Sequence, residues 1–312
     1  MLSSGDIRSE DICVIANPKS GRNSKDAEAL NRAMAAFGPG AKLRKWSAEA
    51  EHGLEDEVRR AVADGHKVIV AAGGDGTVMG IAQALTGTEA ALGVVPLGTF
   101  NYFARGLGLP QEPEEAAAAI LNGHKHRISV GAVNGQVFLN NASLGLYPAA
   151  LRAREDIYQR WGRSRIMANW SLLRTLYRFQ RPHVLTLHTE DGKVRQIRTP
   201  LLFAARSAYQ LEYFGLDGKD AISNDRFAVF IARDGSRWQL LKLALRLATR
   251  SVQAGRDIDL LTARRIVIES RDPRPRVAFD GEKRHMDAPL TMEILDHALS
   301  IILPHEADRT EA

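Results

Sequence analysis

Cysteine is almost absent from this sequence. Cys13 is the only one among 312 residues, and it lies in a short apolar run that predicts a buried strand. One cysteine cannot form an intrachain disulfide, so the chain fits a reducing compartment. This scarcity excludes the class of small secreted proteins whose folds depend on disulfide bonds.

Long hydrophobic runs are absent as well. No segment approaches the roughly 18 apolar residues that a helix needs to cross a bilayer. Residues 1–12 are polar and mixed in charge, without the apolar core of a signal peptide. The nine histidines show no metal-ligand spacing. We therefore expect a cytoplasmic globular protein whose contact with a membrane, if it has one, is peripheral.

Positive charge is present, and it is concentrated. The whole chain has a net charge of +5, whereas residues 151–181 alone carry eight arginines and only two acidic residues. Aromatic residues are interleaved with these arginines. In residues 238–250, Lys242, Arg246 and Arg250 recur every four positions, which places them on one side of a predicted helix.

Two interpretations of these basic segments stay open. Basic amphipathic helices with aromatic edges are typical of proteins that lie on anionic membrane surfaces. The same pattern also fits helices that pack on a domain and turn a charged face to water. No recognised nucleic-acid motif accompanies the charge, so we expect no nucleic-acid partner.

Strands and helices alternate in the first part of the chain. Short apolar strands are predicted at residues 11–16, 68–73 and 91–95, with amphipathic helices between them. This order is typical of an α/β domain, an open and mostly parallel sheet with helices on both faces. Ligands of such sheets bind near the carboxyl ends of the strands.

The pattern changes near residue 128. Turn dipeptides such as Asn134–Gly135 and Asp191–Gly192 separate alternating strands. We therefore expect a mainly antiparallel second domain that begins at about this point and carries two helical insertions.

The most informative stretch is Gly-Gly-Asp-Gly-Thr at residues 73–77, which follows an apolar strand and leads into a predicted helix. Glycines let a ligand approach the backbone closely, and the N–H groups at a helix N-terminus favour phosphate. Asp75 would repel phosphate unless it binds a cation, a hydroxyl or a ribose. Taken alone, the stretch also fits a plain strand-to-helix turn.

Three further loops accompany it: Asn17-Pro-Lys-Ser-Gly21, Pro96-Leu-Gly-Thr-Phe-Asn101 and Asp280-Gly-Glu282. The last of these, without the others, would be interpreted as a hairpin turn. In this order and spacing, the four loops closely resemble those of the diacylglycerol kinase catalytic-domain family. That family includes soluble bacterial lipid kinases and the sphingosine and ceramide kinases. The resemblance covers nearly the whole chain.

The resemblance implies a kinase with a nucleotide-binding α/β domain and a β-sandwich domain that takes the lipid. It places the first domain at residues 1–127 with a returning segment at 297–312, and the lipid domain at 128–296. ATP and Mg²⁺ are the implied cofactors. The residues implied to contact the nucleotide are Asn17, Ser20, Gly21, Ser47, Gly73, Gly74, Asp75, Gly76, Thr77, Gly98, Thr99 and Asn101.

The resemblance also implies the catalytic residues and a structural metal. Glu282 would be the base that takes the proton of a lipid hydroxyl, most simply that of diacylglycerol, and Asp75 would help to organise metal and nucleotide. Bacterial members hold a structural Mg²⁺ in the second domain. The nearest match here consists of Ile222, Asp225 and Phe227, with Arg226 where the family usually has glycine.

Two departures bear on activity. Gly80 and Tyr102 stand where the family commonly has acidic residues. Either Asp75 and Glu282 suffice to organise Mg²⁺, or turnover has been lost. A lipid-binding protein without turnover is therefore a second hypothesis. A third is a soluble-substrate kinase of the NAD-kinase type, which would share only the glycine loop.

Overall fold

A computed structural model describes residues 7–17, 28–47, 52–145, 182–253, 255–306 and 309 of the chain. The predicted nucleotide-binding residues Ser20 and Gly21 lie outside the described residues, as does the basic segment 151–181. The chain divides into two compact units, the first comprising Met1–Asn140 with Leu295–Ala312 and the second comprising Asn141–Ile294.

The first unit is built on a parallel sheet with the strand order β2-β1-β3-β4, extended at β4 by the end of the last strand, β16. A short antiparallel hairpin, β5–β6, follows the helices. In chain order the elements are β1 (Ile12–Ala16), α1 (Glu28–Phe37), β2 (Lys42–Lys45), α2 (Leu54–Ala63), β3 (Val68–Gly73), α3 (Asp75–Leu85), β4 (Ala91–Pro96), α4 (Tyr102–Gly106), α5 (Pro113–Leu121), β5 (His124–Val133), β6 (Gln136–Phe138) and β16 (Leu290–Leu303).

Every residue of β1, β3 and β4 is buried. Strands covered on both faces read as continuous apolar runs, which is why these segments show no alternation in the sequence. On one face, Val14 and Val70 join a core cluster with Leu30 and Phe37 of α1 and Ile120 of α5. Helices α2 and α3 pack against each other and against β3. The sheet therefore has helices on both faces, as predicted.

The strand order creates a place for a ligand. From β1 the chain moves first to β2 on one side and then to β3 on the other side. In open α/β sheets, the crevice at the carboxyl ends of the strands beside such a reversal is where ligands bind. The loops that follow β1 and β3, which carry Asn17 and Gly73–Thr77, begin at this edge.

The second unit is antiparallel. One sheet has the strand order β12-β11-β10-β7-β14-β15, and β8 pairs with both β9 and β13. Its elements are β7 (Asn141–Gly145), β8 (His183–Thr189), β9 (Val194–Thr199), β10 (Leu201–Ala205), α6 (Ala208–Phe214), α7 (Lys219–Ser223), β11 (Phe227–Ala232), α8 (Arg237–Ala248), β12 (Ile258–Ala263), β13 (Arg265–Ser270), β14 (Arg276–Phe279) and β15 (Glu282–His285). The predicted fold class, an α/β domain followed by a mainly antiparallel one, is confirmed.

The last strand contributes to both units. Residues near its start pair with β13 in the second unit, for example Leu290 with Ile268. Near its end, Ile301 pairs in parallel with Leu92 of β4, so the chain finishes as a strand of the first unit's sheet. Among the described helices, none is both long and apolar enough to cross a membrane.

Candidate active site

The glycine loop joins β3 to α3 in a tight conformation. Gly74 precedes the first residue of α3, and its carbonyl oxygen accepts the N–H groups of Thr77 at 2.9 Å and Val78 at 3.1 Å. A Cβ on Gly73 would lie 2.7 Å from Oγ1 of Thr77, so only glycine fits beside the buried threonine side chain. The packing of the Thr77 side chain on Gly73 therefore helps to fix the conformation of the loop.

The loop after β4 lies directly against the glycine loop. A Cβ on Gly98 would lie 2.5 Å from the Cα atom of Gly74, well inside contact distance. The N–H of Leu97 donates to the carbonyl oxygen of Gly73 at 2.9 Å. Since backbone packs on backbone here, Gly98 leaves no room for a side chain at the contact, and a Cβ on Gly74 would be a tight 3.3 Å from Cα of Gly98. The structure thus brings two of the predicted nucleotide loops together.

Asp75 ties these two loops with its carboxylate. The N–H of Phe103 donates to Oδ1 of Asp75 at 3.2 Å, and the N–H groups of Tyr102 and Asn101 also point to it. These are first-turn donors of α4, which no intrahelical carbonyl can satisfy. Burial raises the pKa of the Asp75 carboxyl, while these backbone donors pull it down. Asp75 is therefore the cap of α4 as well as the first residue of α3.

Asn101 completes the loop from a left-handed backbone conformation, with φ of 51°, which asparagine tolerates better than most residues. Its Nδ2 donates to the carbonyl oxygen of Pro96 at 3.4 Å and to Oε1 of Gln111 at 3.3 Å. Its Oδ1 is buried and accepts no hydrogen bond within the described part of the chain. Gln111 was missed by sequence reasoning, because a polar residue shortly before a helix carries no specific signal.

Other predicted nucleotide residues present their backbone to solvent. Gly76 and Thr99 are exposed, and Gly74 and Gly98 are half-buried. No atom lies within 4 Å of the position that a Cβ on Gly76 would take. The half-buried residues Asn17 and Ser47 follow the carboxyl ends of β1 and β2 at the same edge of the sheet. Open backbone donors at the N-terminus of α3 fit an anionic group such as a phosphate chain.

The two departures from the family pattern are packed into the structure. A Cβ on Gly80 would lie 2.6 Å from Cδ2 of Leu54, so the leucine of α2 fills the space beside this glycine. The ring of Tyr102 stacks on that of Phe100, with 5.6 Å between the ring centroids. Hydrophobic contacts thus stand at both positions where the family commonly has an acid.

Glu282 lies at a hairpin turn in the second unit. Asp280 and Gly281 both have positive φ, 44° and 100°, and they connect β14 to β15. Oδ1 of Asp280 accepts the N–H of Asn141 at 3.0 Å, and the N–H of Asp280 donates to the carbonyl oxygen of Asn141 at 3.1 Å. Nδ2 of Asn141 in turn donates to Oε1 of Gln210 at 3.0 Å. The turn is therefore braced, while the Glu282 side chain is 44% exposed.

The predicted metal ligands have a different partner. The guanidinium of Arg206 donates from Nη1 to the carbonyl oxygen of Ile222 at 3.2 Å and from Nη2 to Oδ1 of Asp225. Phe227 is buried as the first residue of β11. No group of three or more His, Cys, Asp and Glu side chains suited to a metal occurs among the described residues. Sequence reasoning missed Arg206, because an arginine just after a strand carries no signal of its own.

The contact between the two loops generates a prediction about Gly98. Gly98→Ala should lower the free energy of unfolding by about 1–3 kcal/mol, because the added methyl group must displace the backbone of Gly74. The same variant should weaken binding of ATP. Gly76→Ala is the matched control for stability, since its added methyl group meets no atom and a helical alanine gains up to about 1 kcal/mol. Urea unfolding and calorimetric titration with ATP measure both effects, and equal stability of the two variants would contradict the role of the contact.

The cap generates a prediction about Asp75. Asp75→Ala should cost about 1 kcal/mol of stability, because the first-turn N–H groups of α4 lose their acceptor. Asp75→Asn keeps an acceptor oxygen and should cost less. Thermal unfolding of both variants beside the wild type measures the difference. A loss in Asp75→Asn as large as that in Asp75→Ala would show that the charge, and not the cap, stabilises the loop.

The pKa of Asp75 adds a pH dependence with a definite sign. Because the folded-state pKa lies above the ordinary value of 3.8, the folded protein holds this proton where the unfolded chain has lost it. The stability of the wild type relative to Asp75→Asn should therefore fall as the pH rises from 3.8 through the folded-state pKa. A difference that grows with pH in this interval would contradict the burial of this carboxyl.

Comparisons with known proteins match the first part of the chain to a kinase family. Residues 11–133 match the model of the family described as diacylglycerol kinase catalytic domain. The chain is 49% identical over 90 residues to a probable YegS-like lipid kinase of Pseudomonas aeruginosa strain UCBPP-PA14, covering 28% of this chain and 30% of that protein. It is 35% identical over 139 residues to a diacylglycerol kinase of Bacillus subtilis strain 168, covering 42% and 45% respectively. The chain thus spans less than half the length of the curated relatives it matches.

Solved structures share the fold over nearly the whole chain. A diacylglycerol kinase of Bacillus anthracis has a TM-score of 0.67 at 24% identity, covering 96% of this chain and 98% of that one. An NAD kinase of Archaeoglobus fulgidus in complex with ATP has a TM-score of 0.53 at 13% identity, covering 96% and 95%. The resemblance to the diacylglycerol kinase catalytic domain family is confirmed for residues 11–133, which match that family's model.

Proposed function

We propose that this protein is a kinase that transfers the γ-phosphoryl group of ATP, with Mg²⁺, to the hydroxyl of a lipid. Diacylglycerol is the simplest acceptor. The observation that carries the proposal is the backbone contact between Gly74 and Gly98, which joins two nucleotide loops inside the segment that matches the family, residues 11–133.

The residues of the first unit fit a nucleotide. Phosphoryl transfer requires mainly positioning and charge stabilisation, with little covalent chemistry from the protein. The exposed backbone of Gly76 and Thr99 and the N-terminus of α3 would hold the phosphates. Asn17 and Ser47 would contact the nucleotide from the neighbouring strand ends. ATP supplies the phosphoryl group, and Mg²⁺ offsets the charge of the phosphates.

Glu282 would act as the general base. Its carboxylate is exposed, and the hairpin that carries it is held by paired hydrogen bonds between Asp280 and Asn141. A base must lie within hydrogen-bond reach of the hydroxyl whose proton it takes. Hydrogen bonds that hold the turn restrict the positions that the Glu282 carboxylate can adopt. Nη2 of Arg284 lies 3.5 Å from Oε2 of Glu282.

The first test is transfer of labelled γ-phosphate from ATP to diacylglycerol and related lipids in mixed vesicles. Glu282→Gln should reduce the rate by about 10²–10⁴-fold, because the base is lost while size and shape are kept. Glu269→Gln is the matched control, since this exposed glutamate of β13 lies outside the four loops, and its rate should equal that of the wild type.

The outcome separates the three hypotheses. No product from wild-type protein that still binds ATP would favour the member without turnover, for which Gly80 and Tyr102 are the relevant departures. Phosphorylation of NAD in place of lipid would favour the NAD-kinase type. Equal rates in Glu282→Gln and Glu269→Gln would exclude Glu282 as the base.

A peripheral membrane contact through α8 is the second part of the proposal. The outward face of this helix carries Trp238, 73% exposed, and Leu245, 59% exposed, with exposed Lys242 between them. The predicted basic stripe is largely engaged: Arg246 pairs with Asp257, and the guanidinium of Arg250 lies 5.4 Å from the ring centroid of Tyr213. The face therefore fits a lipid surface mainly through its apolar side chains, with one free-standing lysine.

Binding to anionic vesicles tests this contact. Trp238→Ser with Leu245→Ser should weaken vesicle binding by at least about tenfold, because each side chain would lose roughly 1.5–3 kcal/mol of apolar burial. Val194→Ser is the control, since Val194 is 63% exposed but lies on β9. Vesicle sedimentation gives the measurement, and equal losses in both proteins would contradict a specific contact through α8.

A further inference from the structure

The turn between α7 and β11 is held by the positively charged side chain of Arg206. Arg206 follows β10 directly, and β10 runs antiparallel to β11 with Ala205 opposite Ala228. This register brings the arginine to the turn at the start of β11. There its guanidinium donates to the carbonyl oxygen of Ile222 at 3.2 Å and to the carboxylate of Asp225.

The contacts form an ion pair in which only the arginine is largely buried. The Arg206 side chain is only 11% exposed, while Asp225 is 46% exposed. A planar guanidinium can serve a carbonyl and a carboxylate at once, because its N–H groups point in fixed directions. Asp225 itself has a φ of 50°, a left-handed conformation that aspartate tolerates in turns. The guanidinium thus contacts both the backbone and the side-chain oxygen of one turn.

The same residues, Ile222 and Asp225, are two of the three expected to hold a structural Mg²⁺, the third being Phe227. Mg²⁺ and Ca²⁺ require oxygen ligands with free lone pairs, and here the carbonyl oxygen of Ile222 and Oδ1 of Asp225 both accept N–H groups of Arg206. A second arginine adds to the positive charge, since Nη1 of Arg264 donates to the carbonyl oxygen of Asp225 at 3.2 Å. A divalent cation at this position would meet both guanidinium groups. The residues present do not fit a metal.

The neighbouring Arg226 agrees with this interpretation. It stands where the resembling family usually has glycine, and its guanidinium pairs with Glu190. The Glu190 carboxylate also accepts the N–H of Arg264 at 3.1 Å and that of Arg265 at 3.3 Å. Although partial burial raises it, the pKa of Glu190 is lowered overall by these donors and by Arg226, so the carboxylate stays ionised and occupied. It is not available as a metal ligand.

We propose that the guanidinium of Arg206 takes the place of a metal ion at the Ile222–Asp225 turn, so that the second unit folds and stays folded without a divalent cation. This inference does not depend on the kinase activity. Any requirement of the protein for Mg²⁺ then comes from the nucleotide alone.

Thermal unfolding of nucleotide-free protein tests the proposal. The melting temperature of the wild type should be the same in EDTA and in millimolar Mg²⁺ or Ca²⁺. Arg206→Met should lower it by about 3–6 °C, because an ion pair with one buried partner is broken. Added Ca²⁺ or Mg²⁺ should then restore part of the loss, and the double variant Arg206→Met/Asp225→Asn should show no such recovery.

Arg233→Met is the matched control. Arg233 also pairs with an aspartate of the second unit, Asp259, but it is 54% exposed and follows the opposite end of β11. Its removal should create no response to metal.

Two results would overturn the proposal. One is a rise in the wild-type melting temperature with Mg²⁺ or Ca²⁺ that Asp225→Asn abolishes, which would show that a metal binds at this turn already. The other is an Arg206→Met protein that loses stability but gains no response to metal. If Arg206→Met does not fold, two other experiments test the proposal. Arg206→Lys and the wild type are each titrated with Mg²⁺ and Ca²⁺ by calorimetry, and both proteins should show no binding of metal at the turn.

Discussion

The approach of Gly74 to Gly98 is the constraint on which the candidate site depends. Two loops from neighbouring parallel strands meet backbone to backbone, at a distance that excludes a side chain on Gly98. The hydrogen bond from Leu97 to Gly73 fixes the same pair of loops from the strand side. Glycine is thus required here for packing between loops, in addition to any need for a ligand to approach the backbone.

Other features of the first unit follow from that contact. Once the loops touch, the carboxylate at the start of α3 lies within reach of the unsatisfied N–H groups at the start of α4. One aspartate then caps a second helix and connects the loops that follow β3 and β4. Asp75 therefore stabilises the structure as a helix cap, whether or not it also organises a metal. Its substitution is therefore informative only when cap and charge are removed separately.

Much of this arrangement could be predicted from the sequence. The buried parallel strands were recognised because strands covered on both faces must be apolar throughout, and the glycine loops because their composition demands a special backbone. Strand β9 was missed because it lies at an edge and is largely exposed, so its residues Val194–Thr199 lack the alternation that marks a half-buried strand. Strand β12 was missed as well, since only its two ends are fully buried.

Contacts between side chains that are distant in the sequence could not be predicted. The pairing of Arg206 with the turn at Asp225 depends on the register of β10 against β11, and register is a property of the folded sheet. The same holds for Gln111 beside Asn101 and for Gln210 beside Asn141. A resemblance to a family predicts the positions of the loops well. It does not predict contacts with residues that lie outside the family's motifs.

The packing of Leu54 beside Gly80 has a consequence for how such a sequence changes over generations. A Cβ at position 80 would meet the end of the Leu54 side chain, which would have to move to make room for it. An acidic residue at position 80 would need the leucine to change or move as well. Substitutions at positions 54 and 80 are therefore coupled, because a side chain at position 80 and the leucine at position 54 compete for the same space.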